Sequence, residues 1–240
     1  MQDQHIASAF DRDLEAIQAQ IMKMGGLVEA AILDAANSLD TRDEEMAEVV
    51  RDRDRQIDRL EEQVNEEVAR LIALRAPMGT DLRTVLSVMK VSGNLERVGD
   101  YAKNIAKRTT VLVRMPIVSG SSGALRRMAK EVEVMLKDVL DAYIQRDVTL
   151  AEEVRQRDHD VDQMYNALFR EFLTFMMEDP RNITACMHLH FIAKNIERMG
   201  DHVTSIAEQV IYLVTGEMPE EARLKATAAY LEYPAGGQGD

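Results

Sequence analysis

The sequence predicts an all-α protein made of two tandem three-helix bundles that are related by an internal duplication. Apolar residues recur at three- and four-residue spacing over long stretches, and Pro and Gly stand between those stretches. Alternating β-branched runs bounded by hairpin turns, which signal strands, are nearly absent. The segment from Asn94 to Arg108 is nearly restated from Asn195 to Gln209, at a constant offset of 101 residues. A match this dense indicates one unit present twice.

The first half of the chain divides into three predicted helices. Gly25-Gly26 interrupts the first, either by bending it or by packing closely against a neighbour. Pro77-Met78-Gly79 ends the second, and Thr80 or Asp81 is expected to cap the third. The predicted helices run from about His5 to Ser38, from the residues after Asp43 to Arg75, and from this cap towards Val113.

The same pattern restarts in the second half after a segment rich in Gly and Ser. Asp179-Pro180 breaks the chain between the last two helices. The helices are predicted over about Ala124–Gln145, Thr149–Met177 and Asn182–Val214. The predicted domains are a first bundle (1–115), a linker (116–123), a second bundle (124–215) and a tail (216–240) that is partly disordered and partly helical over Glu217–Tyr230.

Composition and charge exclude several classes of function. The formal net charge of −13 argues against nucleic acid or an anionic lipid surface as the main partner, because phosphates repel such a field. Cys186 is the single cysteine, which rules out an intramolecular disulfide and fits a reducing compartment. No signal peptide and no apolar run of about 18 residues is evident. We therefore expect contact with a membrane only through protein partners.

Pairs of acidic residues repeat along the predicted helices of both halves. Glu96 and Asp100 lie four residues apart, so they share one helix face, and Glu197 and Asp201 repeat them. The preceding helix of each half carries its own pair with the same spacing, at an offset of 104 residues. The eight acids are Asp54, Asp58, Glu96 and Asp100 in the first half, and Asp158, Asp162, Glu197 and Asp201 in the second.

The positions of these pairs predict that they meet. Residues of two antiparallel helices lie level when they are equally far from the turn between them. Asp54 and Asp100 are equally far from Pro77, and so are Asp58 and Glu96. The corresponding acids of the second half are centred between Asp179 and Pro180. Each half is therefore expected to gather four carboxylates at one place.

Four carboxylates at one place repel each other unless a proton or a cation neutralises them. Oxygen ligands favour Mg²⁺, Mn²⁺, Ca²⁺ or ferric iron, and Zn²⁺ also accepts carboxylates. The Glu-x-x-His motif of di-iron oxygen chemistry is missing. The alternative is an acidic face joined by salt bridges to nearby arginines, namely Arg55, Arg97, Arg157 and Arg198. The level pairing in both copies favours metal binding.

Other candidate residues lack a repeat partner of the same type. His159, His190 and His202 are interpreted as surface or supporting side chains rather than ligands, because Arg55, Met89 and Tyr101 stand at the equivalent positions. Cys186 is interpreted as a buried apolar side chain rather than a nucleophile.

Gly99 and Gly200 are expected to permit close approach between helices. Asn104 corresponds to Ser205, so two metal sites would differ in this position.

The chain resembles the PhoU family of phosphate-transport accessory proteins. The resemblance rests on Asn94-Leu-Glu-Arg-Val-Gly-Asp100, on Asn195-Ile-Glu-Arg-Met-Gly-Asp201, and on Pro77 followed by Asp81-Leu82-Arg83. It covers about residues 5 to 215. The resemblance implies that the eight acids bind metal ions, in a site with one or several ions of iron, zinc, magnesium or manganese.

The resemblance also implies a function without catalysis. Members of the family are cytoplasmic regulators that couple the phosphate ABC transporter and its ATPase to the sensor histidine kinase of the phosphate regulon. They keep starvation signalling off when phosphate is abundant. We therefore expect a negative regulator that is not an enzyme. The residues alone leave monomer and dimer open, and we expect a homodimer.

Two other functions stay open at this point. One is a carboxylate-bridged metalloenzyme acting on a phosphate compound, which needs an open coordination position and a nucleophile or general base. The other is a structural helical bundle without metal.

Overall fold

The computed structural model describes the backbone of residues 2–219 and the side chains of residues 9–219. This part of the chain forms six α-helices of 25 to 40 residues, with no strand and with one short 3-10 turn at Pro180–Asn182. The all-α prediction is confirmed. The predicted tail lies mostly outside the described residues. The helices are α1 (Gln2–Thr41), α2 (Glu44–Arg75), α3 (Thr80–Leu112), α4 (Ser121–Gln145), α5 (Val148–Glu178) and α6 (Ile183–Thr215).

An aspartate caps the second helix of each half. Asp43 Oδ1 accepts a hydrogen bond from the backbone N–H of Met46 at 2.9 Å. Asp147 Oδ1 accepts from the N–H groups of Thr149 and Leu150 at 2.9 and 3.1 Å. These bonds satisfy donors that the first turn of a helix leaves unpaired. They fix the short connections after α1 and α4 in the same way in both halves.

The prediction that Thr80 or Asp81 caps α3 is wrong. The N-cap residue is Gly79, with φ of 57° and no side-chain capping bond. Glycine adopts this left-handed φ without a steric penalty, so it makes the turn after Pro77. Thr80 therefore lies in the first turn of α3, where its carbonyl accepts a hydrogen bond from the Thr84 hydroxyl at 3.0 Å.

The helix α4 begins three residues before its predicted start, inside the segment assigned to the linker. Gly120 turns the chain with φ of 78°. Ser122 Oγ then donates to Asp40 Oδ1 at 2.7 Å, and Arg126 Nε lies 3.1 Å from Asp40 Oδ2. Contacts with the end of α1 therefore hold the first turn of α4, although its sequence is rich in Gly and Ser.

The duplication is visible in a repeated ion pair. Arg53 on α2 donates to Asp34 on α1 at 2.6 Å, and Arg157 on α5 donates to Asp138 on α4 at 2.6 Å. The two arginines are 104 residues apart, and so are the two aspartates. The same nitrogen and oxygen atoms meet in both halves, which shows that the two bundles share one internal arrangement.

The two bundles pack against each other through α3 with α6 and α1 with α4. Their buried aliphatic and Met side chains form one continuous core, with Phe172 as the largest fully buried side chain. Among the described residues, no helix has an apolar stretch long enough to cross a membrane.

A symmetric contact lies in the middle of the α3–α6 interface. The rings of Tyr101 and His202 contact each other with their centroids 5.7 Å apart and their planes tilted by 33°. These two residues are 101 positions apart, so they are equivalents in the repeat. The two helices run antiparallel here, because Asn94 contacts His202 and Arg108 contacts His188. Contact between equivalent residues places an approximate two-fold axis between the two rings.

Candidate metal centres

The structure brings the four predicted acids of the first half together. Asp54 and Asp58 on α2 face Glu96 and Asp100 on α3, close enough for their charges to act on each other. Lys103 stands between the two helices, where its ammonium group donates to Asp54 Oδ2 and, at 2.6 Å, to Asp100 Oδ1. The predicted level pairing across the α2–α3 hairpin is therefore present. A lysine joins two members of the group, which the sequence did not indicate.

Asp54 is the most deeply placed acid of the first cluster. Its side chain is only 5% exposed, and its Oδ1 atom has no hydrogen-bond partner among the described residues. Burial raises the pKa of Asp54, and the hydrogen bond with Lys103 offsets part of that effect. Gly99 permits the close approach of α3 to α2 beside Asp54, because a Cβ atom there would lie 2.9 Å from Ile57 Cδ1. The glycine prediction is supported at this site.

Glu96 has the most strongly shifted carboxyl group of the first cluster. Burial and the nearby charge of Asp100 raise the pKa of Glu96 to about 7, although Arg97 lowers it. Arg97 lies 3.5 Å from Glu96 and 3.6 Å from Asp100, but its own side chain is largely exposed. The first cluster therefore holds a proton near neutral pH when no metal is bound.

Burial and hydrogen bonding act in opposite directions on the pKa of Lys103. Burial alone would lower this pKa, but the hydrogen bonds with Asp100 and Asp54 outweigh it and raise the pKa above its usual value. Lys103 is therefore a permanent cation of the first cluster.

The second half places its four predicted acids in the same way. A Cβ atom at Gly200 would lie 3.1 Å from Asp158 Oδ1, which puts α5 and α6 in close contact at this level. Burial raises the pKa of Glu197, and the charges of Asp201 and Asp162 add to this effect, while a hydrogen bond from Lys194 at 2.6 Å counters it. The other Glu197 oxygen, Oε2, is buried without a partner among the described residues. Asp158, Asp162 and Asp201 have interactions of their own.

The two clusters differ at the position that Lys103 occupies. Its equivalent on α6 is Thr204, which is 4% exposed and whose hydroxyl has no hydrogen-bond partner among the described residues. The basic neighbour of the second cluster, Lys194, contacts Glu197 only one turn away on the same helix.

Two of the four arginines named in the salt-bridge alternative form ion pairs with other acids. Arg157 donates to Glu131 at 2.7 Å and Asp138 at 2.6 Å on α4, away from Asp158 and Asp162. Arg55 forms a 3.5 Å pair with Asp52 on the same exposed helix face. Arg97, by contrast, lies beside Glu96 and Asp100, so the salt-bridge alternative is met in part at the first cluster.

The three histidines have the supporting roles expected of them. His190 packs against the rings of Tyr165, Phe169 and Phe191, and burial lowers its pKa. His159 lies 2.8 Å from Gln163 on an exposed face.

His202 Nδ1 lies 2.8 Å from Asn94 Oδ1. Cys186 is fully buried, and burial raises the pKa of its thiol, as expected for an apolar packing residue rather than a nucleophile.

The donor set of each half suits a hard cation. Within the part of the chain that is described, no group of three or more His, Cys, Asp or Glu side chains already stands in coordinating geometry. Two observations nevertheless fit a cation. Asp54 Oδ1 and Glu197 Oε2 are buried oxygen atoms without partners, and carboxylate oxygens are the ligands that Mg²⁺, Mn²⁺ and Ca²⁺ prefer. Metal binding at the eight acids stays a prediction.

A shallow groove opens onto the first cluster from the solvent. It has a volume of about 350 Å³ and runs along α2 and α3. Four acidic and four basic side chains line it, namely Glu48, Asp52, Asp54, Asp58, Arg51, Arg55, Lys103 and Lys107. The groove therefore connects Asp54 and Asp58 of the first cluster with the solvent.

A duplicated three-helix bundle with one carboxylate cluster per half defines a class of all-helical tandem-repeat proteins. A family model described as the PhoU domain matches residues 21–109 and again residues 125–210. The chain therefore belongs to the PhoU family.

Curated relatives cover almost the whole chain. A protein of Rhizobium meliloti (strain 1021) is 44% identical over 94% of this chain and 95% of its own length, and a protein of Zymomonas mobilis is 46% identical over 92% and 93%. Both are named "Phosphate-specific transport system accessory protein PhoU homolog". The prediction that the chain is not an enzyme is confirmed, since its relatives are named as accessory proteins.

Two solved structures share the fold. PhoU from Pseudomonas aeruginosa superposes with a TM-score of 0.84 at 38% identity, and covers 87% of this chain and 100% of its own. The phosphate transport system regulatory protein PhoU from Streptococcus pneumoniae gives a TM-score of 0.81 at 31% identity, with 88% and 99% coverage. The predicted family and the duplicated helical fold are both confirmed.

Proposed function

We propose that this chain is a cytoplasmic accessory protein of a phosphate-specific transport system and a negative regulator of phosphate-starvation signalling. In this role it couples the phosphate ABC transporter, through its ATPase, to the sensor histidine kinase of the phosphate regulon. It acts by binding rather than by turnover. The observation that carries the proposal is family membership over nearly the whole chain, with relatives named as accessory proteins of that transport system.

Metal binding is the second part of the proposal. The carboxylate cluster of each half takes up oxygen-preferring ions, with iron, zinc, magnesium and manganese as candidates, and the bound ion braces α2 against α3 and α5 against α6. The buried oxygen atoms of Asp54 and Glu197 that lack partners support this role. The ion supplies positive charge between paired helices.

Exposed apolar side chains support an adaptor function. Phe169 and Leu173 on α5, with Ile183, Met187 and Phe191 on α6, are each 40 to 45% exposed and lie near the turn that joins the two helices. Apolar side chains gathered on an otherwise polar surface are typical of protein contact sites. We expect protein partners, which include a second copy in a homodimer, and contact with the membrane only through them.

Gene deletion tests the regulatory function. A strain without the gene should express a phosphate-starvation reporter at high phosphate, and the wild-type gene supplied in trans should restore repression. A chain with Glu197→Ala/Asp201→Ala tests whether the clusters matter for repression. Normal repression in the deletion strain would remove the proposal.

Elemental analysis tests metal binding separately from signalling. Protein purified without added metal should contain bound ions, and a variant with Glu96→Ala/Asp100→Ala and Glu197→Ala/Asp201→Ala should not. A metal content that is equal in the two proteins would contradict the metal part and leave the adaptor function standing.

A further inference from the structure

We propose that one end of the α3–α6 interface is a binding site for a single inorganic phosphate ion. Arg83 and Lys90 on α3 supply its positive charge, and Gln209 and Tyr212 on α6 close it from the other side. The inference goes beyond the proposed function, because neither the accessory role nor the carboxylate clusters require an anion site at this interface.

Two basic side chains of α3 lie around one ring of α6. The Arg83 guanidinium carbon and the Lys90 ammonium nitrogen lie 5.9 and 6.0 Å from the centroid of the Tyr212 ring. These distances are at the outer limit of cation–π attraction, so the ring neutralises little of their charge. Neither side chain forms an ion pair among the described residues, although the exposed acids Asp81 and Glu217 are near them in sequence. In a chain with a net charge of −13, two basic side chains without an acidic partner favour an anion taken from solution.

Buried polar atoms without partners lie between these two cations. Ser87 follows Arg83 by four residues and precedes Lys90 by three, so the three side chains share one face of α3. Ser87 is 1% exposed, and its hydroxyl has no hydrogen-bond partner among the described residues. The Nε atom of Arg83 is also buried without a partner there. Because an unpaired buried donor costs free energy, both groups are suited to donate to an anion.

The α6 side of the site is located by a contact in the middle of the interface. His202 Nδ1 lies 2.8 Å from Asn94 Oδ1, which fixes the level of the two antiparallel helices. Ser87 precedes this contact by seven residues on α3, and Gln209 follows it by seven on α6. Seven residues are about two helical turns, so Ser87 and Gln209 lie opposite each other on the facing sides of the helices.

The internal repeat gives the same placement. At the other end of the interface, Arg108 Nη1 lies 3.4 Å from His188 Nδ1. The equivalents of Arg108 and His188, at an offset of 101 residues, are Gln209 and Ser87. The approximate two-fold axis therefore brings Gln209 and Ser87 together as well.

Gln209 favours phosphate over sulfate. It is 6% exposed, and its Oε1 atom is buried without a partner among the described residues. This atom only accepts hydrogen bonds. A phosphate ion still carries a proton at neutral pH and can donate it to this atom, whereas sulfate carries none. A site with a buried hydrogen-bonding group discriminates against a ligand that cannot pair with it.

The repeated framework does not need these cations. The second-half equivalents of Arg83 and Lys90 are Thr184 and Phe191, which carry no charge, and yet both ends of the interface belong to the same helix pair. The positive charge at this end is therefore not a requirement of helix packing.

Gly216 sets the position of Arg83. This glycine ends α6 with φ of 84°, and a Cβ atom there would lie 2.1 Å from Arg83 Nη1. A methyl group at this position would push the guanidinium away from the site. Gly216→Ala therefore disturbs the site without removing a charge.

Calorimetric titration of chelator-treated full-length protein with inorganic phosphate at constant ionic strength tests the inference. The wild type should bind one phosphate ion per chain, and sulfate should bind at least about ten-fold more weakly. Arg83→Gln and Lys90→Gln should each weaken phosphate binding by about ten-fold or more, because each removes a charged donor. Gly216→Ala should also weaken it.

A matched control separates this site from positive charge elsewhere on the protein. Lys107→Gln removes the charge of an exposed lysine in the groove beside the first carboxylate cluster, so it should keep the wild-type affinity. Circular dichroism checks that each variant is folded. Lys90 is exposed, so Lys90→Gln decides the question even if Arg83→Gln does not fold.

Each contrary outcome overturns the inference. Wild-type protein that gives no saturable heat with phosphate has no such site, and a folded Lys90→Gln variant with unchanged affinity excludes this end of the interface. Equal weakening by Lys107→Gln would place the anion in the groove instead, and sulfate binding as tight as phosphate would remove the choice of ligand. All of these results leave the proposed function to the deletion strain and to elemental analysis, which do not depend on phosphate binding by the purified chain.

Discussion

Glu96 links the protonation of the protein to its stability. Its pKa is raised to about 7 from a usual value of 4.5, mainly because burial disfavours its charged form. Between these two values the folded state keeps a proton that the unfolded state has lost. Its contribution to stability is therefore fully present below pH 4.5 and is lost as the pH rises through about 7.

We predict that Glu96→Gln flattens this pH dependence in chelator-treated protein. From pH 5 to pH 8 the wild type should lose about 1 to 2 kcal/mol more free energy of unfolding than the variant, with allowance for solvent screening. Denaturant titrations at both pH values measure this difference. Glu62→Gln, at an exposed position of α2, should keep the wild-type slope. Equal slopes for wild type and Glu96→Gln would contradict the assignment.

The sequence predicted which acids lie close together, but it did not predict that Lys103 pairs with two of them. The equal distances of Asp54 and Asp100 from Pro77 are enough to place them level in a hairpin. Lys103 has a long, flexible side chain, so sequence spacing does not decide whether it reaches Asp54, Asp100 or solvent. The pairing depends on the distance between α2 and α3, which Gly99 sets and which only coordinates give.

At the scale of single elements, Gly25 and Gly26 form a natural pair for comparison in the middle of α1. A Cβ atom at Gly25 would lie 2.5 Å from Leu140 Cδ1 on α4, whereas a Cβ atom at Gly26 would meet no atom within 4 Å. Of the two readings left open by the sequence, close packing applies to Gly25. Gly26 is exposed and has no such constraint.

We predict opposite effects for alanine at these two neighbours. Gly25→Ala should lower the free energy of unfolding by about 1 to 2 kcal/mol, because Leu140 is buried and must move. Gly26→Ala should raise it by up to about 1 kcal/mol through better helix propensity. Chemical denaturation of the two variants checks both signs. A stabilised Gly25→Ala variant would show that α1 and α4 can separate slightly without cost.

Arg42 lies directly after α1 and binds the C-terminal end of α3. It adopts a left-handed backbone with φ of 56°, and its guanidinium donates to the carbonyl groups of Leu112, Val113 and Met115 at 2.5 to 2.9 Å. Leu112 is the last residue of α3, and Val113 and Met115 follow it in the chain. Arg146, its equivalent after α4, has the same φ of 56° and an exposed side chain.

We predict that glycine has different effects at these two arginines. Both changes relieve a left-handed conformation that costs a non-glycine residue about 1 kcal/mol. Arg42→Gly also removes hydrogen bonds from a charged donor, so it should lower the free energy of unfolding by about 1 to 2 kcal/mol overall. Arg146→Gly should be neutral or slightly stabilising. Thermal melts at one pH measure both, and equal shifts would argue against a capping role for Arg42.

The helices themselves were predictable, and their ends were less so. Periodic apolar residues and the Pro77 and Pro180 breaks place every helix within a few residues. The start of α4 was missed because Gly and Ser favour loops locally, whereas its contacts with Asp40 are made by a distant part of the chain. The cap of α3 was missed because a positive φ at Gly79 replaces a side-chain cap.

At the scale of the whole molecule, the two halves share one core. The described helices of both halves contribute to a single cluster of buried apolar side chains, and α3 and α6 form its centre. Periodicity predicted which face of each helix is buried, but it carried no information on which helix covers that face. The packing of one bundle on the other was therefore beyond the sequence.

We predict that both halves unfold in one cooperative transition. Ile57→Val in the first half and Ile196→Val in the second should each lower the free energy of unfolding by about 0.5 to 1.5 kcal/mol, since both side chains are buried. Each should shift the whole calorimetric transition of chelator-treated protein without splitting it. Two separate transitions, with only one shifted by each variant, would contradict a shared core.

The contact between Tyr101 and His202 has a consequence for the origin of the chain. A contact between equivalent positions across a two-fold axis is what two identical subunits make in an isologous pair. A half-length ancestor that assembled with itself through this helix would have placed the same ring on both sides. Once two such copies are joined in one chain each side can change alone, and the present pair differs, with Tyr on one side and His on the other.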